Sequence, residues 1–578
     1  MTKAISAFLV TSMIICLAGC HAPPVKTQAD VVFTNGKIFT VDQDQPFAEA
    51  MAINNGKILA LGGQPAVAHL IGPSTRTIDL AGGTVLPGLV DGHLHPVRGA
   101  IKGLYDCTFP FSANPKQIQQ AVANCVEQQP DDAWIVGGQW DSGFFTRFKI
   151  ESPKAFLDQV SGDKAILLRD DSLHNIWVNS RALELAGFNR NTPNPGSGTI
   201  VRGPDGEPNG ILLETAARVI SNLRPRYDDA KQKAAVVKFV QDANAFGLTG
   251  AKSASSYSYE LKAIQAVDLD GGLSLHMAAS IRSVDGKRDQ PLDYASFELM
   301  RDKYKAPHFD TRFVKIFLDG VPTPARTAAM LSPYVADQSH SQGFDGGELL
   351  VDPQTLAEDL IELDKRGFTV KMHTAGDRSV RIALDAIEAA RKANGDSGLR
   401  HELAHAGYID QDDIPRFGKL NAVADLSPIL WYPSPIIDAI YSAVGEARGQ
   451  HYFPVRDLID SGANLLAGSD WPAVSVNANP WVGIESLVTR QHPHEKTHGA
   501  LWPEQAITLE EAIRIYSLEG ARALRKDHMT GSLELGKSAD FVVLQENLFE
   551  IPVTQISEIL PLETWFEGRQ VYRRQSSN

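Results

Sequence analysis

Two rhythms of apolar and polar positions divide the chain. From residue 30 to 83 the apolar runs are short and alternate with polar residues: "DVVFTNGKIFTV", "AEAMAINNGKILALG" and "RTIDLAGG". Each is broken by an "NGK" or "GG" step, a hairpin signal. The same rhythm returns at the far end in "GSLELGKSADFVVL" and "ETWFEGRQVYR". These runs predict a discontinuous β-sandwich from 30–83 and 529–578, with a central domain inserted into it. Between 84 and 528, strand-like runs precede helical stretches: "TVLPGLVDGHLH", "GLTGAKSAS", "LSLHMAASI", "TRFVKIFLDG", "GFTVKMHTAGD", "LRHELAHAG", "NAVADLSP" and "ANLLAGSDWP". Helical periodicity fills several gaps, as in "DPQTLAEDLIELDKRG". Eight strands alternating with helices predict an α/β fold of the (β/α)₈ TIM-barrel type. The gap from about 97 to 245 is too long for one crossover and predicts a large insertion after barrel strand one. Such an insertion leaves the barrel at its catalytic face and forms part of the pocket wall.

The first twenty residues follow neither rhythm. Lys3 precedes the apolar run "AISAFLVTSMIICLAGC". A charged start, an apolar centre and small residues before a break read as an export signal, too short for a convincing membrane span. "LAGC" resembles a bacterial lipobox. The resemblance implies a signal over 1–19, lipidation of Cys20 and a tether over 20–29. The chain is then expected on the periplasmic side of the cell envelope, anchored by lipid, with His21 favouring the outer membrane. An ordinary cleaved signal with Cys20 incidental is the other reading. Of the two remaining cysteines, Cys107 and Cys125 either pair in that oxidising compartment or stay free. The net charge of −14 over 578 residues, without a basic cluster, argues against a nucleic-acid partner.

The chemistry lies at the ends of the barrel strands. In "TVLPGLVDGHLHP", His93 and His95 stand at i and i+2, on one face of a strand. They are half of a metal site or a pair at a solvated strand end. In "RFVKIFLDG", Val314, Ile316 and Leu318 form an apolar face suited to the helix layer, which turns Lys315 inward. A buried lysine loses its charge easily, and a neutral amine captures CO₂ to give a carbamate able to bridge two metal ions. Pairing of Lys315 with Asp319 is the bland reading. Lys252 and Lys371 are rival strand lysines. His373 ends strand five, His405 strand six and Asp470 strand eight. Nitrogen and oxygen donors without thiolate suit Zn²⁺, with Mn²⁺, Co²⁺ or Fe²⁺ as substitutes. The cluster His492, His494 and His498 lies beyond strand eight among polar residues and reads as a solvated loop. Asp377 opens a helix, and capping is its expected role.

The ordered set "LPGLVDGHLH", "HNIWVNSRAL", "VKIFLDG", "HTAGDR", "RHELAH", "AGSDWP" and the terminal "GKSADFVVL" resembles the amidohydrolase superfamily. It is most similar to the amidohydrolase-3 group containing N-substituted formamide deformylases. The resemblance covers nearly all of the mature chain. It implies a metal-bearing barrel with a urease-type β-sandwich and two divalent ions, most simply zinc. His93, His95 and Asp470 would bind the more buried metal, Lys315, as carbamate, would bridge, and His373 and His405 would bind the second metal. The family glutamate directly before the strand-six histidine is replaced by Ala404, and His405 rather than His401 holds the family position. The implied reaction is hydrolysis of a C–N bond (amide, N-formyl or cyclic amide) by metal-activated hydroxide, with Asp470 as ligand and proton shuttle. His174 and Trp177, and the aromatic run containing Trp140, Phe144 and Phe145, are candidates for a substrate wall, with core packing as the other reading. An esterase, lactonase or carbamate hydrolase with the same site, and a lipid-anchored binding protein without turnover, are the alternatives. A small-molecule substrate is the expected partner, and a homodimer is among the assemblies the sequence allows.

Overall fold

Each of the eight apolar runs contributes one strand to a single sheet. The chain is described by a computed structural model over residues 28–575, apart from 142, 197, 285, 324, 337–344 and 474. The signal, Cys20 and most of the tether lie outside the described residues. The barrel strands are β1 (Leu89–Leu94), β2 (Leu248–Ser256), β3 (His276–Arg282), β4 (Phe309–Phe317), β5 (Thr369–Thr374), β6 (Glu402–His405), β7 (Val423–Leu426) and β8 (Asn464–Ala467). They pair in parallel and in order from β1 to β8. The protein is therefore an α/β barrel. Its seam is closed by backbone bonds from Asp470 N to His93 O (2.7 Å) and His95 N to Trp471 O (2.7 Å). The Asp91 carboxylate adds to the seam by accepting from Ser469 N at 3.2 Å. Gly468 sits so close to β1 that a Cβ there would lie 2.3 Å from His93 N.

"TVLPGLVDGHLHP" is split at Gly88. Thr84–Pro87, expected as the start of the barrel strand, instead pairs with Lys37–Phe39 and, antiparallel, with Phe541–Val543. It thereby joins the two ends of the chain in a six-stranded sheet that also holds Glu563–Phe566, Arg569–Arg573 and Phe47–Ala48. A four-stranded sheet of Lys57–Gly62, Ala50–Asn54, Val31–Thr34 and Arg76–Asp79 contributes to the same apolar core. Phe33 meets Phe541 at 5.2 Å and Trp565 at 5.4 Å between ring centroids there. The edge-on geometry suits aromatic quadrupoles.

Between β1 and β2, six strands from Cys107–Thr108 to Pro208–Leu213 form a separate sheet. Two aromatic candidates for the substrate wall prove to be its core. Trp140 is 2% exposed and donates to Leu168 O, and Trp177 is fully buried and donates to Pro153 O. Phe144, Phe145 and Phe156 pack around Trp177 at 5.0–5.8 Å. The run is rich in large apolar rings because a two-sided sheet of this size needs them, and neither indole faces the barrel cavity. Cys107 and Cys125 are joined in a disulfide, with Cα atoms 5.9 Å apart, that ties the edge strand to the helix Pro115–Gln128.

The barrel interior carries charge. Alternation in β2, β5, β6 and β7 turns Lys252, Lys371, Glu402 and Asp425 inward, and each is completely buried. Lys252 Nζ lies 2.5 Å from one Glu402 oxygen, and the other is 3.0 Å from Lys371 Nζ. Lys371 also contacts Asp425, whose carboxylate accepts from His93 Nδ1 at 2.7 Å. Charges in such surroundings persist only when each has a partner.

Lys371→Met is expected to leave Glu402 and Asp425 undercompensated and to cost about 3–5 kcal/mol. Denaturant unfolding should show this as a lowered midpoint, and an unchanged midpoint would contradict the network. Peptide mapping without reductant should recover Cys107 linked to Cys125. Cys107→Ser with Cys125→Ser should destabilise the insertion by about 2–4 kcal/mol, seen as earlier proteolysis within residues 105–215.

Candidate active site

Six side chains from five strands converge at the C-terminal end of the barrel. His93 ends β1 with Nδ1 held by Asp425, so its Nε2 points into the cavity, 3.6 Å from an Asp470 oxygen. A carboxylate behind a histidine fixes its tautomer and ring orientation. His95 Nε2 is 3.4 Å from the same oxygen. His405 Nδ1 is 4.0 Å from the other one. His93, His405 and Asp470 each offer a donor atom within 4.8 Å of the others. The His373 ring lies 4.6 Å from that of His405, with Nε2 turned to the Gly320 carbonyl at 3.0 Å. Its Nδ1 is thus left for the cavity. His405 and Asp470 hold positive φ angles of 72° and 51°, a backbone region unfavourable for residues with a Cβ.

Lys315 is 1% exposed. Burial first, then the neighbouring Lys371 charge, lower its pKa to about 7, so the neutral amine is accessible at neutral pH. Among the described residues it has no carboxylate in ion-pair range, whereas both rivals are paired, Lys252 with Glu402 and Lys371 with Glu402 and Asp425. Asp319, the bland partner for Lys315, is taken by the backbone N–H groups of Ala329, Ala375 and Gly376 and by the Ser379 hydroxyl. It buttresses the start of helix Asp377–Asn394, the role expected of Asp377. Asp377 instead accepts from Leu331 N.

His401, the rival to His405, is buried away from the cavity. Its Nδ1 accepts from Val370 N, and its Nε2 meets Asp364 at 3.0 Å. His174 does reach the site. Its ring faces His373 at 5.5 Å and its Nδ1 meets Glu214 at 2.9 Å. Burial opposes its charge, but Glu214 outweighs burial and raises its pKa. His492 and His494 lie away from the cavity, His492 against Tyr432 at 4.5 Å.

The donor set fits a cation. Burial holds the pKa values of His93, His95, His373 and His405 well below the ordinary histidine range, so all four present neutral lone pairs. Burial raises Asp470 to about 7. The Nδ1 of His95 is buried with no hydrogen-bond partner among the described residues. The neutral imidazoles around Asp470, in a cavity of about 540 Å³, offer lone pairs but no charge of their own to balance that buried carboxylate.

Sequence reasoning missed Asp425, Glu402 and Glu214. The first two were visible as inward positions in "VADLSP" and "HELAH". Glu214 carried no signal, because its placement depends on the insertion folding back over the barrel.

The amidohydrolase family profile matches residues 76–572. The chain is 29% identical to Protein LONG AFTER FAR-RED 3 of Arabidopsis thaliana, over 95% of this chain and 93% of that one. It is 26% identical to the N-substituted formamide deformylase of Arthrobacter pascens, over 95% and 99%. An uncharacterized metal-dependent hydrolase from Pyrococcus horikoshii shares the fold with a TM-score of 0.69 and 21% identity, covering 90% of this chain and 99% of that one. With a family match across most of its length, the chain belongs to the amidohydrolase family and is a metal-dependent hydrolase.

Proposed function

We propose that this protein hydrolyses the C–N bond of an amide, N-formyl compound or cyclic amide, at a centre of two divalent ions held by His93, His95, Lys315, His373, His405 and Asp470. The observation that carries the reading is the convergence of three neutral imidazoles on Asp470, with His373 packed against one of them, beside a buried lysine that has no carboxylate partner among the described residues. The near full-length alignment with a formamide deformylase supports the choice of bond. Zinc is the simplest ion for this donor set.

Bound divalent ions supply Lewis-acid activation of water and of an acyl oxygen. The side chains do the rest. A neutral Lys315 amine adds to CO₂, forming an N–C bond and releasing a proton, and presents two anionic oxygens to the centre. Asp470 accepts a proton from the attacking water and passes it to the amine nitrogen, which then leaves neutral. His174, whose charged form Glu214 favours against burial, faces the cavity, where it can donate to a substrate oxygen. The N-terminal reading extends the proposal to an exported, lipid-anchored enzyme, and the disulfide suits an oxidising compartment.

His93→Ala and His95→Ala are each expected to lower metal content by elemental analysis and to remove turnover of N-formyl and N-acyl amines. Wild-type turnover that survives exhaustive chelation, with no metal found, would end the proposal. Lys315→Ala should bind metal weakly and regain part of its activity with added formate or propionate. Lys315→Arg should not recover, because a guanidinium stays charged and cannot take up CO₂. Full activity in Lys315→Ala would remove the carbamate and leave the histidines.

A further inference from the structure

The wall above the six converging side chains is basic, in a chain whose formal net charge is −14. Apart from those six, seven lysine and arginine side chains line the cavity, against two carboxylates, Asp106 and Glu260. Two clusters of guanidinium groups stand out, the first partly balanced by the Arg98–Glu260 ion pair at 3.3 Å. At the barrel end, Arg98 and Arg282 reach the same residue. Arg98 Nη2 donates to Ser255 O and Arg282 Nη1 to Ser255 Oγ, both at 3.0 Å. Both guanidinium groups also lie against Tyr257, at 5.6 and 5.1 Å. Arg282 is the register partner of Lys315, which sets this pair next to the reacting centre.

The second centre comes from the insertion. Arg169 meets Asp106 at 3.4 Å, and Asp106 is already shared with the Tyr227 hydroxyl at 2.9 Å. Arg224 lies against Tyr227 at 5.6 Å and Arg226 against Tyr259 at 5.0 Å. Neither has a carboxylate partner among the described residues. Burial, and then the Arg224 charge, pull the Arg169 pKa down to about 10, as expected where guanidinium groups crowd with too few counter-charges.

The proposed metal centre does not call for this charge. Two divalent ions already outweigh Asp470 and a carbamate, so a positive wall adds repulsion unless another anion enters. Arginine forks match carboxylate and phosphate groups geometrically, and a basic cleft concentrates anions. The tyrosines between them offer ring faces to whatever apolar stem carries the charge.

We infer that the substrate is itself an anion: an N-acyl compound bearing a carboxylate or phosphate, seated between Arg98, Arg169 and Arg224 while its acyl carbon lies at Asp470. The inference rests on the hydrolase reading above, and its test separates the two. The full mature enzyme, with and without metal, is titrated by calorimetry with glutarate and with inorganic phosphate. The comparison is with Arg224→Gln and with Arg98→Gln. Metal-free wild type should bind one of the two anions, and each variant should bind it about 10-fold or more weakly, the loss of a charged hydrogen bond. Glutarate against phosphate identifies the group. On the metal-loaded enzyme, N-formylglutamate or N-formyl-O-phosphoserine should exceed N-formylglutamine amide in kcat/KM by about 10-fold or more. Equal binding in wild type and variants, or equal turnover of the neutral amide, would overturn the inference while leaving the hydrolase intact. Arginine-dependent anion binding without turnover of any C–N substrate would uphold the anion seat and overturn the reaction instead.

Discussion

A buried row of alternating charges runs up the inside of the barrel: Lys252, Glu402, Lys371, Asp425 and then the His93 imidazole. It ties five strands together, since its members come from β2, β6, β5, β7 and β1. Taking five ionisable groups out of water is costly, and the cost is met only if every link is made. The row therefore links the mutual placement of those strands through paired side chains. It also sets the direction of His93, because Asp425 can accept from Nδ1 only when Nε2 faces the cavity. The site inherits its geometry from this interior arrangement.

The barrel was legible from the chain because each strand is a short apolar run at a fixed place between helices. The converging side chains were legible because strand periodicity tells in from out: Lys315 inward between Val314 and Ile316 holds in the structure. What periodicity cannot give is partnership. It left Lys315, Lys371 and Lys252 as rivals, and only three-dimensional neighbours separate them, by which carboxylates lie within reach. It also could not divide "TVLPGLVDGHLHP", where two strands of different sheets follow one another without a polar break. Trp140 and Trp177 misled for a related reason. An aromatic cluster signals a surface to be covered, and the covering here is the insertion's own sheet rather than a substrate.

The insertion shapes the mouth of the cavity with residues that have no barrel rhythm. Glu214 turns His174 towards His373, and the loop after helix Thr215–Ser221 brings Arg224 and Arg226 to the rim. The barrel and the wall thus answer to different demands. One must keep six converging side chains in place, and the other decides what reaches them.

The pairing of Thr84–Pro87 with Phe541–Val543 has a temporal consequence. A chain emerging N-terminus first holds the strand just ahead of β1 without one of its two neighbours until more than four hundred further residues have followed. The accessory sheet is thus a contact of very long sequence separation, and such contacts slow folding. Until residue 541 arrives, one apolar edge of this strand, just ahead of the N-terminal end of β1, is open to other chains. Barrel and sheet can therefore close together only once the C-terminal strands are present.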